Sequence, residues 1–188
     1  MSKNKTMFTF SSSSPFGLTL VLCLIVSFFV TPSTSNHLSY VCIKSKSPRF
    51  CLQVLGLNPH RSTYELTREA INLTLANAFE TTEKIHIFIN QTNDQNLKKI
   101  YEYCLSFYQD IIRNLKDAEE HFLKEGPNFG VSAAGNIAQL HSYQCEIAFQ
   151  RNVGYIYDSP LIKDTKNLVI FGSIVVSAVN LLYNSTLI

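Results

Sequence analysis

The sequence predicts an all-α protein: an up-down-up-down four-helix bundle, preceded by a helical hairpin and stapled by disulfides. Over long segments, apolar residues recur every three or four positions, which is the spacing of one buried helix face. Strict alternation of apolar and polar residues, typical of strands, is rare. Polar or Gly/Pro-containing breaks separate segments of about 20 to 30 residues, as in an antiparallel bundle with short loops.

The N-terminus has the pattern of a secretory signal peptide. Lys3 and Lys5 precede an apolar run from Phe16 to Val30, and small residues follow it up to Ser35. This run of 15 residues is shorter than the roughly 20 that a membrane span needs. We therefore predict that residues 1–35 are removed, and that residues 36–188 form one secreted domain with no membrane attachment.

The predicted mature chain is electrically neutral. The whole sequence carries 16 Lys+Arg and 14 Asp+Glu, and two of the lysines are lost with the signal. A neutral domain gains little by displacing counterions from phosphates, so nucleic acid is not an expected partner.

The hairpin is predicted over about residues 38–60, as two short helical turns with Pro48 ahead of the second. The bundle follows over about residues 62–185. The first bundle helix has its apolar face at Ile71, Leu75, Ala78, Thr82, Ile85 and Ile89. The second has it at Leu97, Tyr101, Cys104, Tyr108, Ile111, Leu115, Ala118 and Phe122. The third has it at Ala134, Ala138, His141, Cys145 and Ala148. The fourth has it at Leu168, Phe171, Val175, Ala178 and Leu182.

The breaks carry helix start and stop signals. Asp94 or Asn96 is placed to cap the second bundle helix, and Gly126 with Pro127 ends it. The apolar segment 168–183 is only 16 residues long and contains polar residues, so it is interpreted as the fourth bundle helix rather than a membrane span.

Four cysteines remain after the signal: Cys42, Cys51, Cys104 and Cys145. An even number in a secreted chain favours disulfides. Cys104 and Cys145 lie on apolar faces of neighbouring helices, so Cys42–Cys51 with Cys104–Cys145 is the simplest of the three pairings. There is no Cys-x-x-Cys pair, and the spacing is wider than that of usual zinc ligands, so we predict neither a redox site, a metal site nor a cofactor.

Three sequons agree with a secretory route, at Asn72, Asn90 and Asn184. Catalytic motifs are absent: the sequence contains no nucleophile elbow, no P-loop and no His-Glu-x-x-His. Glu119 and Glu120 are adjacent, so on a helix they point about 100° apart and do not converge on one bond. We therefore predict a binding protein rather than an enzyme.

The order of these features is familiar. A short loop closed by Cys42 and Cys51 is followed by a long helix, by Cys104 within KKIYEYCLSFY, and by GVSAAGNIAQLHSYQC ending at Cys145. An apolar helix comes last. Over residues 38–185 this resembles the plant invertase and pectin methylesterase inhibitor family. Gly135 departs from the family pattern, in which a Leu is common after the Ser-Ala-Ala triplet.

The resemblance implies the same hairpin, bundle and disulfides, in a protein that forms a 1:1 complex with a carbohydrate-active enzyme of the plant cell wall or vacuole. Members that act on pectin methylesterase lay bundle helices across its substrate cleft. Members that act on acid invertase use a Pro-Lys-Phe element, and the matching place here reads Pro127-Asn128-Phe129. The Ser132-Ala133-Ala134 triplet occurs in pectin methylesterase inhibitors and in a pollen-allergen-like subgroup labelled as invertase inhibitors.

Pectin methylesterase is therefore the favoured target, blocked by steric occlusion of its cleft. Inhibition of acid invertase is the alternative, and a non-inhibitory bundle glycoprotein is the second alternative. The residues predicted to contact the target are exposed positions of the second and third bundle helices and the element between them. They are Asp110, Arg113, Asn114, Asp117, Pro127, Asn128, Phe129, Gln139 and Ser142.

Overall fold

The computed structural model describes residues 37–56, 60–124, 129–153 and 159–185, without the side chains of Phe122, Val153 and Ser185. The predicted signal peptide therefore lies outside the described residues.

The predicted hairpin is confirmed. Helices α1 (His37–Lys44) and α2 (Pro48–Leu55) are joined by the Cys42–Cys51 disulfide, with Cα atoms 5.2 Å apart. Pro48 is the first residue of α2, where a missing N–H leaves no helical hydrogen bond unmade. The hairpin lies on the last helix of the chain, since the ring of Phe50 meets that of Phe171 edge-on at 5.2 Å.

Four long helices follow: α3 (Thr63–Gln91), α4 (Gln95–Asp117), α5 (Phe129–Val153) and α6 (Ile162–Ser185). Both α3 and α5 pack against α4 and α6, which is the arrangement of a four-helix bundle. By length and apolar composition α6 could cross a membrane, but 61% of its most apolar window is buried within the protein. It is the fourth helix of the bundle, as predicted.

Side chains cap the two N-terminal bundle helices. Ser62 and Glu65 form a reciprocal capping box at the start of α3, in which the Ser62 N–H donates to Glu65 Oε2 at 2.8 Å. This N–H holds the pKa of the Glu65 carboxyl below its usual value. At α4, Asp94 Oδ1 accepts from the backbone N–H groups of Asn96 and Leu97, so the cap is Asp94 rather than Asn96, the other predicted candidate.

The end of α4 differs from the prediction. The sequence predicted continuous α-helix as far as Gly126, but α4 passes into a π-helical turn at Ala118–Phe122. The N–H of Leu123 donates to the carbonyl of Ala118, five residues back, at 2.9 Å. The apolar spacing cannot distinguish an α turn from a single π turn, because Ala118 is buried in either.

The predicted apolar faces form the core. Most of their residues are buried, and Ile89, Leu97, His141 and Ala148 are half-buried at the edges. The Cys104–Cys145 disulfide, with Cα atoms 4.8 Å apart, joins α4 to α5 inside this core. Both predicted pairings are therefore confirmed.

Two glycines bring α5 and α6 into backbone contact. A Cβ atom on Gly135 would lie 2.9 Å from the carbonyl oxygen of Gly172, and one on Gly172 would lie 2.6 Å from that of Gly135. Carbon atoms do not approach carbonyl oxygens so closely, so neither position has room for a side chain. This gives a packing reason for the departure from the family pattern at Gly135.

A buried polar chain links three helices. Glu146 on α5 is 3% exposed and accepts from Thr165 Oγ1 on α6 at 2.9 Å. The Tyr108 hydroxyl on α4 lies 3.3 Å from the same Oγ1. Because Thr165 has one proton and gives it to Glu146, Tyr108 is the donor of the second bond. Burial raises the pKa of the Tyr108 phenol well above its usual value.

Candidate target-binding face

Four of the predicted target-binding residues form one stripe along the C-terminal half of α4. Asp110, Arg113, Asn114 and Asp117 follow each other at three- and one-residue steps that keep them on one side of the helix. Arg113 and Asp117 are exposed, and the other two are half-buried. The Arg113 guanidinium donates to Asp110 Oδ1, so this stripe carries both signs of charge at its centre.

His141 connects this stripe to α5. Its Nδ1 lies 3.1 Å from Asp110 Oδ2, near enough for an ion pair when the imidazole is protonated, although the angle is not that of a hydrogen bond. The Phe107 ring packs on the imidazole with centroids 5.0 Å apart. The sequence assigned His141 to the apolar face of α5, whereas the structure places it half-buried at the α4 contact.

The prediction that Ser142 is exposed was wrong. Its side chain is fully buried, and its Oγ donates to the Ala138 carbonyl at 2.7 Å. Ser142 lies four residues from Ala138 and from Glu146, so all three share the inner side of α5. It offers no surface to a partner.

The remaining predicted positions divide into two groups. Gln139 is half-buried, and its Nε2 donates to the Gly135 carbonyl at 3.3 Å, so part of its amide is engaged within α5. Pro127 and Asn128 lie outside the described residues. Phe129 is the first residue of α5, and 87% of it is exposed.

Two exposed apolar side chains on α5 were missed. Leu140 is 52% exposed and Tyr143 is 56% exposed. Both side chains line one groove, and exposed apolar side chains that lie together are typical of surfaces that partners cover. The signal was present in the sequence, because both residues fall between the predicted apolar-face positions Ala138, His141 and Cys145.

We define the target face as these exposed and half-exposed positions on neighbouring helices. It consists of Asp110, Arg113, Asn114, Asp117, Phe129, Leu140 and Tyr143. Two open grooves border α5. One, of about 570 Å³, runs along α6 and is lined by Leu140, Tyr143 and Val169 among others. The other, of about 700 Å³, lies against the N-terminal half of α4.

The sequon asparagines Asn72, Asn90 and Asn184 are all exposed on helices. In the first sequon Thr74 is buried, and its Oγ1 donates to the Ala70 carbonyl at 2.6 Å. Glycosylation of the three remains a prediction.

Residues 36–171 match the family described as "Plant invertase/pectin methylesterase inhibitor". The chain belongs to this family. The match spans α1 to the first ten residues of α6, which confirms the resemblance inferred from the cysteine and Ser-Ala-Ala pattern. The family consists of inhibitors, so the chain is a non-catalytic member of an inhibitor family.

Individual relatives agree with this assignment. The chain is 33% identical to a pectinesterase inhibitor of Actinidia deliciosa over 150 residues, which is 76% of this chain and 80% of the relative. It is 32% identical to pectinesterase inhibitor 1 of Arabidopsis thaliana over 54% of this chain and 60% of that protein.

The fold is shared with solved structures. A crystal structure of mutant form A of a pectin methylesterase inhibitor from Arabidopsis superposes with a TM-score of 0.68 and 25% identity, covering 78% of this chain and 97% of that one. A second crystal structure, of a pectin methylesterase inhibitor from Arabidopsis thaliana, gives a TM-score of 0.59 and 26% identity, over 79% of this chain and 97% of that one.

Proposed function

We propose that the protein is a secreted inhibitor of pectin methylesterase that covers the substrate cleft of the enzyme with α4 and α5. The similarity to curated proteins named pectinesterase inhibitors carries this proposal, because it extends over 76% of the chain in the first of them. The proposed mature protein is residues 36–188, with residues 1–35 as its signal peptide. Two disulfides and three sequons whose asparagines are exposed support an oxidising, secretory compartment.

The chemistry of the target face suits a protein partner. Leu140, Tyr143 and Phe129 supply exposed apolar area on α5, while Arg113 and Asp117 supply charge on the neighbouring helix α4. Interfaces of this kind combine an apolar centre with a polar rim. Because these side chains stand on disulfide-linked helices, binding orders little of the backbone and the associated entropy loss is small.

Acid invertase is the alternative target. In the invertase-directed members a Lys of the Pro-Lys-Phe element meets carboxylates, and Asn128 stands at the matching place here. The loss of one such charge-assisted contact costs about 2 to 5 kcal/mol. This substitution favours pectin methylesterase as the target.

The test is inhibition of a plant pectin methylesterase and an acid invertase, side by side at pH 5 and 6.5, by the oxidised mature protein. The informative variant is Leu140→Asp, and Ile87→Asp is its matched control. Both residues are half-exposed on helices, at 52% and 50%, but Ile87 lies on α3, away from the target face.

We expect inhibition of pectin methylesterase only, in a 1:1 complex. Leu140→Asp should raise the inhibition constant at least tenfold, because a charge replaces an apolar contact, and Ile87→Asp should leave it unchanged. Inhibition of invertase alone would overturn the choice of target. Inhibition of neither enzyme, with both disulfides confirmed by mass, would favour the non-inhibitory bundle.

A further inference from the structure

The groove between α4 and α5 has a chemistry distinct from that of the target face. It has a volume of about 700 Å³, within the range of pockets that hold small ligands. Asn96, Lys99 and Tyr103 line it from α4, and Gln144, Arg151 and Asn152 line it from α5. None of the described lining residues is acidic. We call it the α4/α5 groove.

Two cations lie on the two helices that form the α4/α5 groove. Lys99 and Arg151 are both exposed, and neither forms a salt bridge with another described residue. The ion pairs of α4 that the structure describes involve Asp110, near the other end of the helix. The positive charge in the groove is therefore available to an anionic ligand. Guanidinium groups bind carboxylates with paired, charge-assisted hydrogen bonds.

An exposed aromatic ring lines the same groove as these cations. Tyr103 is 53% exposed, and its ring meets Phe107 edge-on with centroids 4.5 Å apart. Phe107 is in turn packed on His141. An exposed aromatic face is a platform for the C–H face of a flat or ring-shaped ligand.

An exposed amide of the α4/α5 groove provides an acceptor. Asn152 is exposed, and its Nδ2 donates to the Ala148 carbonyl at 2.7 Å. This bond leaves the Asn152 amide oxygen as an acceptor for a ligand that carries a hydroxyl group.

We infer that the α4/α5 groove binds a short acidic oligosaccharide, built from sugar rings that carry both hydroxyl and carboxylate groups. The carboxylates would pair with Lys99 and Arg151, a ring face would stack on Tyr103, and a hydroxyl would donate to the Asn152 amide oxygen. Neutral sugars leave the two cations unused, and simple polyanions leave the aromatic ring and the amide acceptor unused. The combination is what selects a uronic acid saccharide.

The test is calorimetric titration of the oxidised mature protein with a hexamer of α-1,4-linked galacturonic acid. The comparison ligands are the fully methyl-esterified hexamer, which has lost its charge, and dextran sulfate, which has charge without carboxylates. The main variant is Lys99→Gln with Arg151→Gln. Its matched control is Lys98→Gln with Lys166→Gln, which removes the same charge from described positions outside the α4/α5 groove.

We expect the acidic hexamer to bind, with an affinity at least tenfold weaker in the groove double variant and unchanged in the control pair. Tyr103→Ala should weaken binding at least fivefold, while Tyr103→Phe keeps the ring and the affinity. Equal binding of the esterified hexamer, equal loss in the control pair, or an affinity for dextran sulfate as high as for the hexamer would each overturn the inference.

No enzyme takes part in this titration, so its outcome is independent of the proposed inhibition. The groove double variant should still inhibit pectin methylesterase at least as well as the Ile87→Asp control does. Loss of both sugar binding and inhibition would show that the α4/α5 groove belongs to the target face, and would overturn its assignment as a separate sugar site.

Discussion

The two sides of α5 approach their neighbours by different means. Toward α6 the contact is backbone on backbone, because Gly135 and Gly172 leave no room for a side chain. Toward α4 the helices are joined by the Cys104–Cys145 disulfide, and aromatic and charged side chains stand at the margin of that contact. The contact with α6 therefore depends on the close fit of two helix backbones. The α4 side is held covalently, and Asp110 and Arg113 of the proposed target face stand near its outer margin.

Removal of the covalent link should have the largest effect on stability. Cys104→Ala with Cys145→Ala opens a loop spanning 41 residues, and loop-closure entropy of that size stabilises by about 4 kcal/mol. The measurement is urea unfolding under oxidising conditions. The reference is the pair Cys42→Ala with Cys51→Ala, whose separation is 9 residues and whose expected loss is about 3 kcal/mol.

If Cys104→Ala with Cys145→Ala lowers the free energy of unfolding by less than about 1 kcal/mol, the disulfide does not stabilise the α4 side of α5. The contrast between the two sides of α5 then fails. If removal of the Cys42–Cys51 disulfide lowers the free energy of unfolding more than removal of Cys104–Cys145 does, loop length does not determine which disulfide stabilises more.

Disruption of the contact between Gly135 and Gly172 should have the second largest effect on stability. Gly135→Leu places a side chain 2.9 Å from a carbonyl oxygen that belongs to a rigid helix, and we expect a loss of about 3 kcal/mol in unfolding free energy. Asn136→Leu is the matched control, because it adds the same side chain one position along at an exposed site. It should change stability by no more than about 0.5 kcal/mol. A Gly135→Leu protein as stable as its parent would show that the helices do not cross so closely.

The buried polar chain that joins both sides of α5 should give the smallest effect. Tyr108→Phe removes the bond to Thr165 and should cost about 1 kcal/mol at pH 7. Burial raises the pKa of Tyr108, so the native state keeps its proton where the unfolded state, with a pKa of about 10, loses it. The contribution of Tyr108 is therefore fully present below pH 10 and is lost as the pH rises further.

The free energy of unfolding, measured from about pH 9 to 11, tests whether this stabilisation is lost at high pH. The stability difference between the parent and Tyr108→Phe should shrink above pH 10, by up to about 1.4 kcal/mol per pH unit. In Thr165→Val the free energy of unfolding should fall above pH 10 as it does in the parent. This variant removes the hydrogen bond but leaves the Tyr108 phenol buried. A constant difference between parent and Tyr108→Phe would mean that the phenol is solvated.

The bundle was predictable because its core residues repeat at helical spacing in the sequence itself. The Cys104–Cys145 disulfide was predictable for the same reason, since both cysteines occupy core positions in those repeats, and Cys42–Cys51 followed from the closeness of its cysteines in the sequence. The sequence offered Asp94 and Asn96 as caps of α4, because both precede its apolar face. These features depend on the spacing of residue types along short segments, which can be read from a single sequence.

The contacts between distant residues were not predictable. Gly135 was interpreted as a departure from the family pattern, because nothing in the sequence links it to Gly172, 37 positions later. Ser142 was expected to be exposed because it is polar, whereas a serine can satisfy its hydroxyl on its own helix and be buried. Leu140 and Tyr143 could have been found by asking which large apolar residues of α5 miss the core face.

The position of α6 has a consequence for how the protein is made. It follows the other described helices in the chain, yet the hairpin of α1 and α2 packs on it through Phe171, and Ser173 accepts a hydrogen bond from the Lys46 N–H at 2.9 Å. Both disulfides lie within the part of the chain that ends at Cys145, and α6 contains no cysteine. All four bonded cysteines are therefore synthesised before α6, whereas the hairpin can dock on the bundle only after α6 has been made.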